Sequence, residues 1–165
     1  MSSDSQSTNG EEQGALATVF SDTEDFVTFV IADQLFGIPV LKVQDVLSTH
    51  NITRIPLAPP EIAGSLNLRG RIVTAMDVRL RLGLPPKERA SSMSIVAEHD
   101  GELYSLMVDS VGEVLALNAS DYERNPPTLD PKFRDYSAGI YRLDEKLLVV
   151  LDVNRLLDYD RVQAA

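Results

Sequence analysis

Two stretches of this chain recur in the same order, and that repetition limits the fold more than any other feature. Phe36-Gly37-Ile38-Pro39-Val40-Leu41-Lys42-Val43-Gln44-Asp45-Val46-Leu47 aligns with Tyr104-Ser105-Leu106-Met107-Val108-Asp109-Ser110-Val111-Gly112-Glu113-Val114-Leu115 at an offset of 68 residues. The leading aromatic, the valines and the closing acid-Val-Leu coincide. Further on, Ala63 to Leu82 aligns with Ala138 to Leu157 at an offset of 75, with six identities in twenty positions. The offset grows by seven between the two pairs, which places a longer loop in the second copy around Asn125-Pro126-Pro127 and Pro131. Proline has no N–H to give a strand ladder, so a loop fits there. A chain written this way reads as two similar lobes.

The local pattern says what each lobe is made of. From Phe26 onward, short β-branched and aromatic runs alternate with turn residues: Phe26 to Ala32, the pair Asp33-Gln34, then Leu35 to Val40. Runs of the same kind are Asn67 with Leu68, Ile72 to Met76, Ser94 to Ala97, Leu103 to Val108 and Leu147 to Leu151. No helical period persists for about twelve residues, so long helices are not expected. The predicted class is all-β with short helices, each copy supplying five or so strands that close into a small barrel. Closure removes free sheet edges, and two barrels side by side bury a common apolar seam, a natural place for a partner to dock.

Composition narrows the function. The chain of 165 residues has no cysteine, which removes disulfides, thiolate metal sites and a cysteine nucleophile, and fits the cytoplasm. No apolar run approaches the roughly 20 residues of a membrane span, and the N-terminus lacks the pattern of a signal peptide. Of the formal charge of -10, a large part sits in residues 1 to 25, which hold Asp4, Glu11, Glu12, Asp22, Glu24 and Asp25 and no Lys or Arg. The net negative charge argues against nucleic acid as a partner, since phosphate binding rests on clustered Lys and Arg. Residues 1–24 are expected to be a disordered acidic tail, 25–158 the folded domain and 159–165 a short C-terminal tail.

Candidate chemistry is sparse. Asp77 and Asp152 stand at equivalent places after apolar strands, which invites comparison with a paired-carboxylate hydrolase. Their neighbours, Val78-Arg79 and Val153-Asn154, lack the small residue and glycine of such a site, and both precede Leu-rich runs as N-caps do. Capping is the expected role. His50 and His99 have no local partner at ligand spacing, and His99 precedes the turn signal Asp100-Gly101. Ser91, Ser92 and Ser94 lack a Gly-x-Ser-x-Gly elbow. No enzymatic activity, cofactor or metal is expected. Asn67-Leu68-Arg69-Gly70-Arg71 places two guanidinium groups in a hairpin turn. Turn arginines are usually solvated charge, yet Arg69 falls near the proposed seam, and Arg suits carboxylates or carbonyls across an interface. Val43 and Val46 leave the same choice open, between core and contact.

Taken together, Phe36-Gly37-Ile38 with Val40 to Val46, then Arg54-Ile55-Pro56, then Gly64 with Asn67-Leu68-Arg69-Gly70, and the closing Asp152-Val153 with Leu156-Leu157, resemble the CheW-like adaptors of bacterial chemotaxis. The likeness runs from about Phe26 to Leu157. It implies two interlocked SH3-like five-stranded β-barrel subdomains, with duplicated halves at about 26–84 and 93–158. It further implies a non-catalytic scaffold that couples chemoreceptors to the chemotaxis histidine kinase. In such proteins the receptor's cytoplasmic helical tip lies in a groove between subdomains, and the kinase regulatory domain pairs with the adaptor. Membranes are then met only indirectly, through receptors. Carried onto this sequence, the resemblance assigns partner binding to Arg69, Asn67 and Gly64, to Val43, Asp45 and Val46, and to Val111 and Val114 of the second lobe. Asp45 stands where Glu is frequent in the family, and Ser105 where Gly is common. The motifs describe the grip rather than the pathway, so an adaptor for another array, serving pili or gene expression, is the alternative. A hydrolase using Asp77 and Asp152 is the remote one.

Overall fold

The computed structural model describes residues 22–48, 51–87 and 93–158. His50, Ser91, Ser92, most of the predicted acidic tail and the segment 159–165 lie outside the described residues. Strands are β1 (Thr23–Ile31), β2 (Gln34–Pro39), β3 (Val43–Ser48), β4 (Ile62–Leu68), β5 (Arg71–Asp77), β6 (Met93–His99), β7 (Glu102–Val108), β8 (Ser110–Asn118), β9 (Tyr122–Glu123), β10 (Ser137–Arg142) and β11 (Leu147–Leu151). Short helices are α1 (Val78–Arg81), α2 (Pro131–Arg134) and α3 (Val153–Leu157). The all-β class expected from the runs is what forms.

Three hairpins turn on two residues with both backbones left-handed: Ala32-Asp33 (φ 51° and 67°), Arg69-Gly70 (53° and 84°) and Asp100-Gly101 (52° and 80°). Such turns match the twist of the strands they join. The first sits one residue earlier than the sequence suggests, because Ile31 pairs with Gln34 and thereby sets Phe29 opposite Phe36. Those rings stack at 5.6 Å in the core, and the packing of two fully buried aromatics selects the register.

The repeat is real, but it does not give one barrel per copy. One sheet runs β8-β1-β2-β11-β10-β9 and the other β3-β6-β7-β5-β4. Each copy therefore lends its first hairpin to the sheet of the other. Parallel pairing makes the exchange: Phe36 lies opposite Val149, and Tyr104 opposite Thr74. The crossing points are the 3-10 turn Val40–Lys42 after β2, which Pro39 opens, and Asp109 between β7 and β8. Even the extra pairing at the sheet ends is repeated, Thr53 bridging Ser65 as Glu123 pairs with Ile140.

Apolar packing explains why exchange wins. Three clusters form: one inside the first sheet (Phe26, Tyr141, Leu148, Val150), one inside the second (Leu66, Val73, Val96, Met107), and a larger one between them. The shared cluster takes Phe29, Phe36 and Ile38 from one half and Ile95, Leu106, Ile140 and Leu156 from the other, all fully buried. Each such side chain is worth about 1.5–3 kcal/mol when withdrawn from water, so neither half retains this stabilisation alone. The longer loop of the second copy does more than connect. It carries α2, capped by Asp130 with Pro131 in its first turn, and sends Phe133 edge-on to Phe36 at 5.3 Å.

Polar ties cross between the sheets as well. Asp109 Oδ2 accepts from the Ala32 N–H at 2.9 Å and from Arg79 Nη1 at 2.7 Å, with Lys87 Nζ 3.8 Å away. Arg81, buried, donates from Nε to the Leu156 carbonyl at 2.8 Å and lies 5.2 Å over the Tyr136 ring.

Candidate functional site

β3 stands at one end of its sheet and the β4–β5 hairpin near the other, yet Arg69 Nη2 reaches Asp45 Oδ2 at 3.0 Å. The sheet therefore coils until its outer elements meet, and the ion pair marks the closure. Arg69 gains its position from the left-handed turn it shares with Gly70, and Asn67 locks that turn by accepting the Gly70 N–H at 3.0 Å on Oδ1. The register of β3 shifts at a bulge between Val43 and Asp45, and the half-buried Asp45 accepts the N–H of Val46 on Oδ1 at 2.8 Å. A small cleft beside them is lined by Gln44, Leu68, Arg71, Val96 and Leu103. Side-chain exposure is 78% for Arg69 and 27% for Asp45, so the guanidinium faces water while half-holding an anion.

The four valines fall into two equivalent pairs. Val43 and Val111 are partly buried against the shared core. Val46 and Val114, 38% and 56% exposed, occupy matching places on β3 and β8, the end strands of the two sheets. The structure thus gathers Asp45, Val46, Asn67 and Arg69 at one corner of the second sheet, and sets Val111 and Val114 on the first. Gly64 contributes through its backbone: it is buried at φ 148°, and a Cβ there would collide with the Thr53 carbonyl. Its place is under the chain rather than toward a partner.

The aspartates cap. Asp77 accepts the Leu80 N–H at 3.3 Å and Asp152 the Arg155 N–H at 3.2 Å, each opening a short helix. His99 closes β6 with Nδ1 3.3 Å from Asn154 Oδ1 and Nε2 3.4 Å from Asp100. Ser94 is buried within β6. Among the described residues, no three His, Cys, Asp or Glu side chains gather as a metal ion would require. No helix among them is long and apolar enough to cross a membrane.

Sequence reasoning missed three exposed apolar side chains and the clasp at Asp109. Leu41 is 90% exposed, Ile72 77%, and Leu57 fully so on a left-handed backbone (φ 63°). Ile72 was readable from alternation, since Val73 must point inward. Asp109 was readable as a break in the repeat, because the first copy has Leu41 in its place.

Two sheets that trade hairpins, share a core and carry exposed valines on their end strands define a duplicated, interlocked β-sheet module. The chain belongs to the CheW-like domain family, whose model matches residues 25–161. It is similar to the chemotaxis protein CheW of Helicobacter pylori, 26% identical over 136 residues that cover 82% of each chain. It is likewise similar to the chemotaxis protein CheW of Klebsiella aerogenes, 28% identical over 140 residues and 84% of each chain. Among solved structures it resembles the scaffolding protein TtCheW of Thermoanaerobacter tengcongensis, with a TM-score of 0.74, 30% identity, and coverage of 82% of this chain and 92% of that one.

Proposed function

We propose that this protein is a non-catalytic coupling scaffold of bacterial chemotaxis, joining the cytoplasmic helical tip of a chemoreceptor to the regulatory domain of the chemotaxis histidine kinase. It acts in the cytoplasm and meets the membrane only through the receptor. Family membership supports this reading, as do relatives that bear the name chemotaxis protein and one described as a scaffolding protein. The observation that carries it to particular residues is the corner of Arg69 and Asp45. An exposed guanidinium, positioned by a locked turn and loosely held by a partner carboxylate, can exchange that carboxylate for one on another protein. Val46 beside it and Val114 at the matching place on β8 offer exposed apolar contact, while Val43 and Val111 pack against the shared core.

Co-precipitation tests the reading. The purified chain should retain both the receptor tip and the kinase regulatory domain. Folded protein that binds neither at concentrations on the order of tens of micromolar would end the coupling assignment.

A further inference from the structure

Apolar burial joins the two sheets, but its attraction has no direction, so it penalises a small rotation of one sheet on the other less sharply than a hydrogen bond does. An angle is specified by polar contacts that cross from sheet to sheet, and two arginines of α1 make several of them. Arg79 Nη1 reaches Asp109 Oδ2 at 2.7 Å, and the same oxygen accepts the Ala32 N–H from the β1–β2 turn at 2.9 Å. Arg81 donates from Nε to the Leu156 carbonyl in α3 at 2.8 Å, lies over the ring of Tyr136 just before β10, and sets Nη1 3.6 Å from Glu61 just before β4. α1 follows β5 of the second sheet, whereas the β1–β2 turn, Tyr136 and α3 go with strands of the first. A helix of four residues thus grips the other sheet at two places.

The repeat shows that the fold does not require these charges. At the offset of 75, Arg79 and Arg81 correspond to Asn154 and Leu156 of α3, and Glu61 to Tyr136. The second copy therefore buries a leucine where the first buries a cation, and Arg81 touches both its own counterpart and that of Glu61. A buried cation is tolerated only where its partners compensate it, so a rotation that parts Arg81 from Glu61 and the Leu156 carbonyl is steeply opposed. We propose that α1 is the bracket that sets the angle between the sheets, with Arg79 and Arg81 as positioning residues. They hold Val46 and the Arg69 corner on the second sheet, and Val114 on the first, at one separation. Without them each sheet keeps its own structure and the angle between the two is released. That docking uses this fixed spacing rests on the coupling reading; the spacing itself does not, and no partner enters its test, so the two fail separately.

The chain has no cysteine, so introduced pairs carry spin labels at chosen places. Ala116→Cys with Ile72→Cys spans the two sheets, and Ser48→Cys with Ile72→Cys stays within the second; all three positions are exposed. Pulsed double electron–electron resonance on the full chain should give one narrow distance distribution for each pair. In Arg81→Leu combined with Glu61→Gln, which removes the cation and its carboxylate together, the distribution across the sheets should broaden while the one within the sheet keeps its width. Arg81→Lys, which keeps a cation for Glu61 and the Leu156 carbonyl, should broaden it less. Asp109→Asn, which takes the anion from Arg79, should act in the same direction and serves as the test if circular dichroism shows the first variant unfolded. A distribution across the sheets that is unchanged in a folded variant would overturn the proposal. So would equal broadening of both label pairs, which marks a general loosening rather than a freed angle.

Discussion

Arg69 and Asp45 sit 3.0 Å apart, but with Arg69 78% exposed the pair ranks with surface salt bridges, worth about 0–1 kcal/mol. Stability cannot be what the pair is for. Little is lost when it opens, so a partner's carboxylate can take the guanidinium at small cost. A different balance governs Tyr141, which burial within the first sheet's core, then Glu24, Tyr122 and Asp121, hold above its usual value of 10.0. The folded chain keeps that proton where the unfolded chain sheds it. Stability from the neutral phenol is therefore intact below pH 10.0 and is lost as pH climbs through the raised value. Tyr141→Phe should flatten the alkaline fall in Tm. Superimposable alkaline limbs in the two proteins would mean that this phenol does not report on folding.

At the scale of elements, short helices of four or five residues cannot stand on propensity alone and depend on their ends. Asp77→Ala and Asp152→Ala should each lower stability by about 1 kcal/mol in urea unfolding, as lost caps do. A midpoint unchanged in both would remove capping as their role. These caps were legible in sequence because an acid before a Leu-rich run has a single local use. The hairpins were legible too, through Asp100-Gly101 and Arg69-Gly70. The α2 segment was not: Asp130-Pro131 signals a helix start, but its only apolar anchor, Phe133, finds its reason in Phe36, about a hundred residues away. The corner at Arg69 was half legible. The turn could be read locally, whereas its meeting with Asp45 depends on the coiling of a whole sheet.

The architecture of the whole molecule is where local reading reaches its limit. Repetition identified two lobes, yet alternation within a strand says which face is buried and nothing about which sheet the strand joins. Exchange of hairpins is decided by the parallel pairs of β2 with β11 and β5 with β7, which no short window contains. It has a consequence that can be measured. A fragment of residues 1–87 has β3, β4 and β5 without β6 and β7, and β1 and β2 without the rest of their sheet. Neither it nor residues 93–165 should fold alone by circular dichroism, and mixing them should restore the β spectrum. A fragment that folds cooperatively by itself would show that each copy closes its own sheet after all.

The central claim is that the corner of Arg69 grips a partner without supporting the fold. Titration calorimetry of the kinase regulatory domain into the parent chain and into Arg69→Glu, with Tm recorded for both, tests it most directly. The account predicts an affinity about 5- to 150-fold weaker, or 1–3 kcal/mol, at an unchanged Tm. Equal affinities, or a loss of binding that follows a loss of Tm, would contradict it.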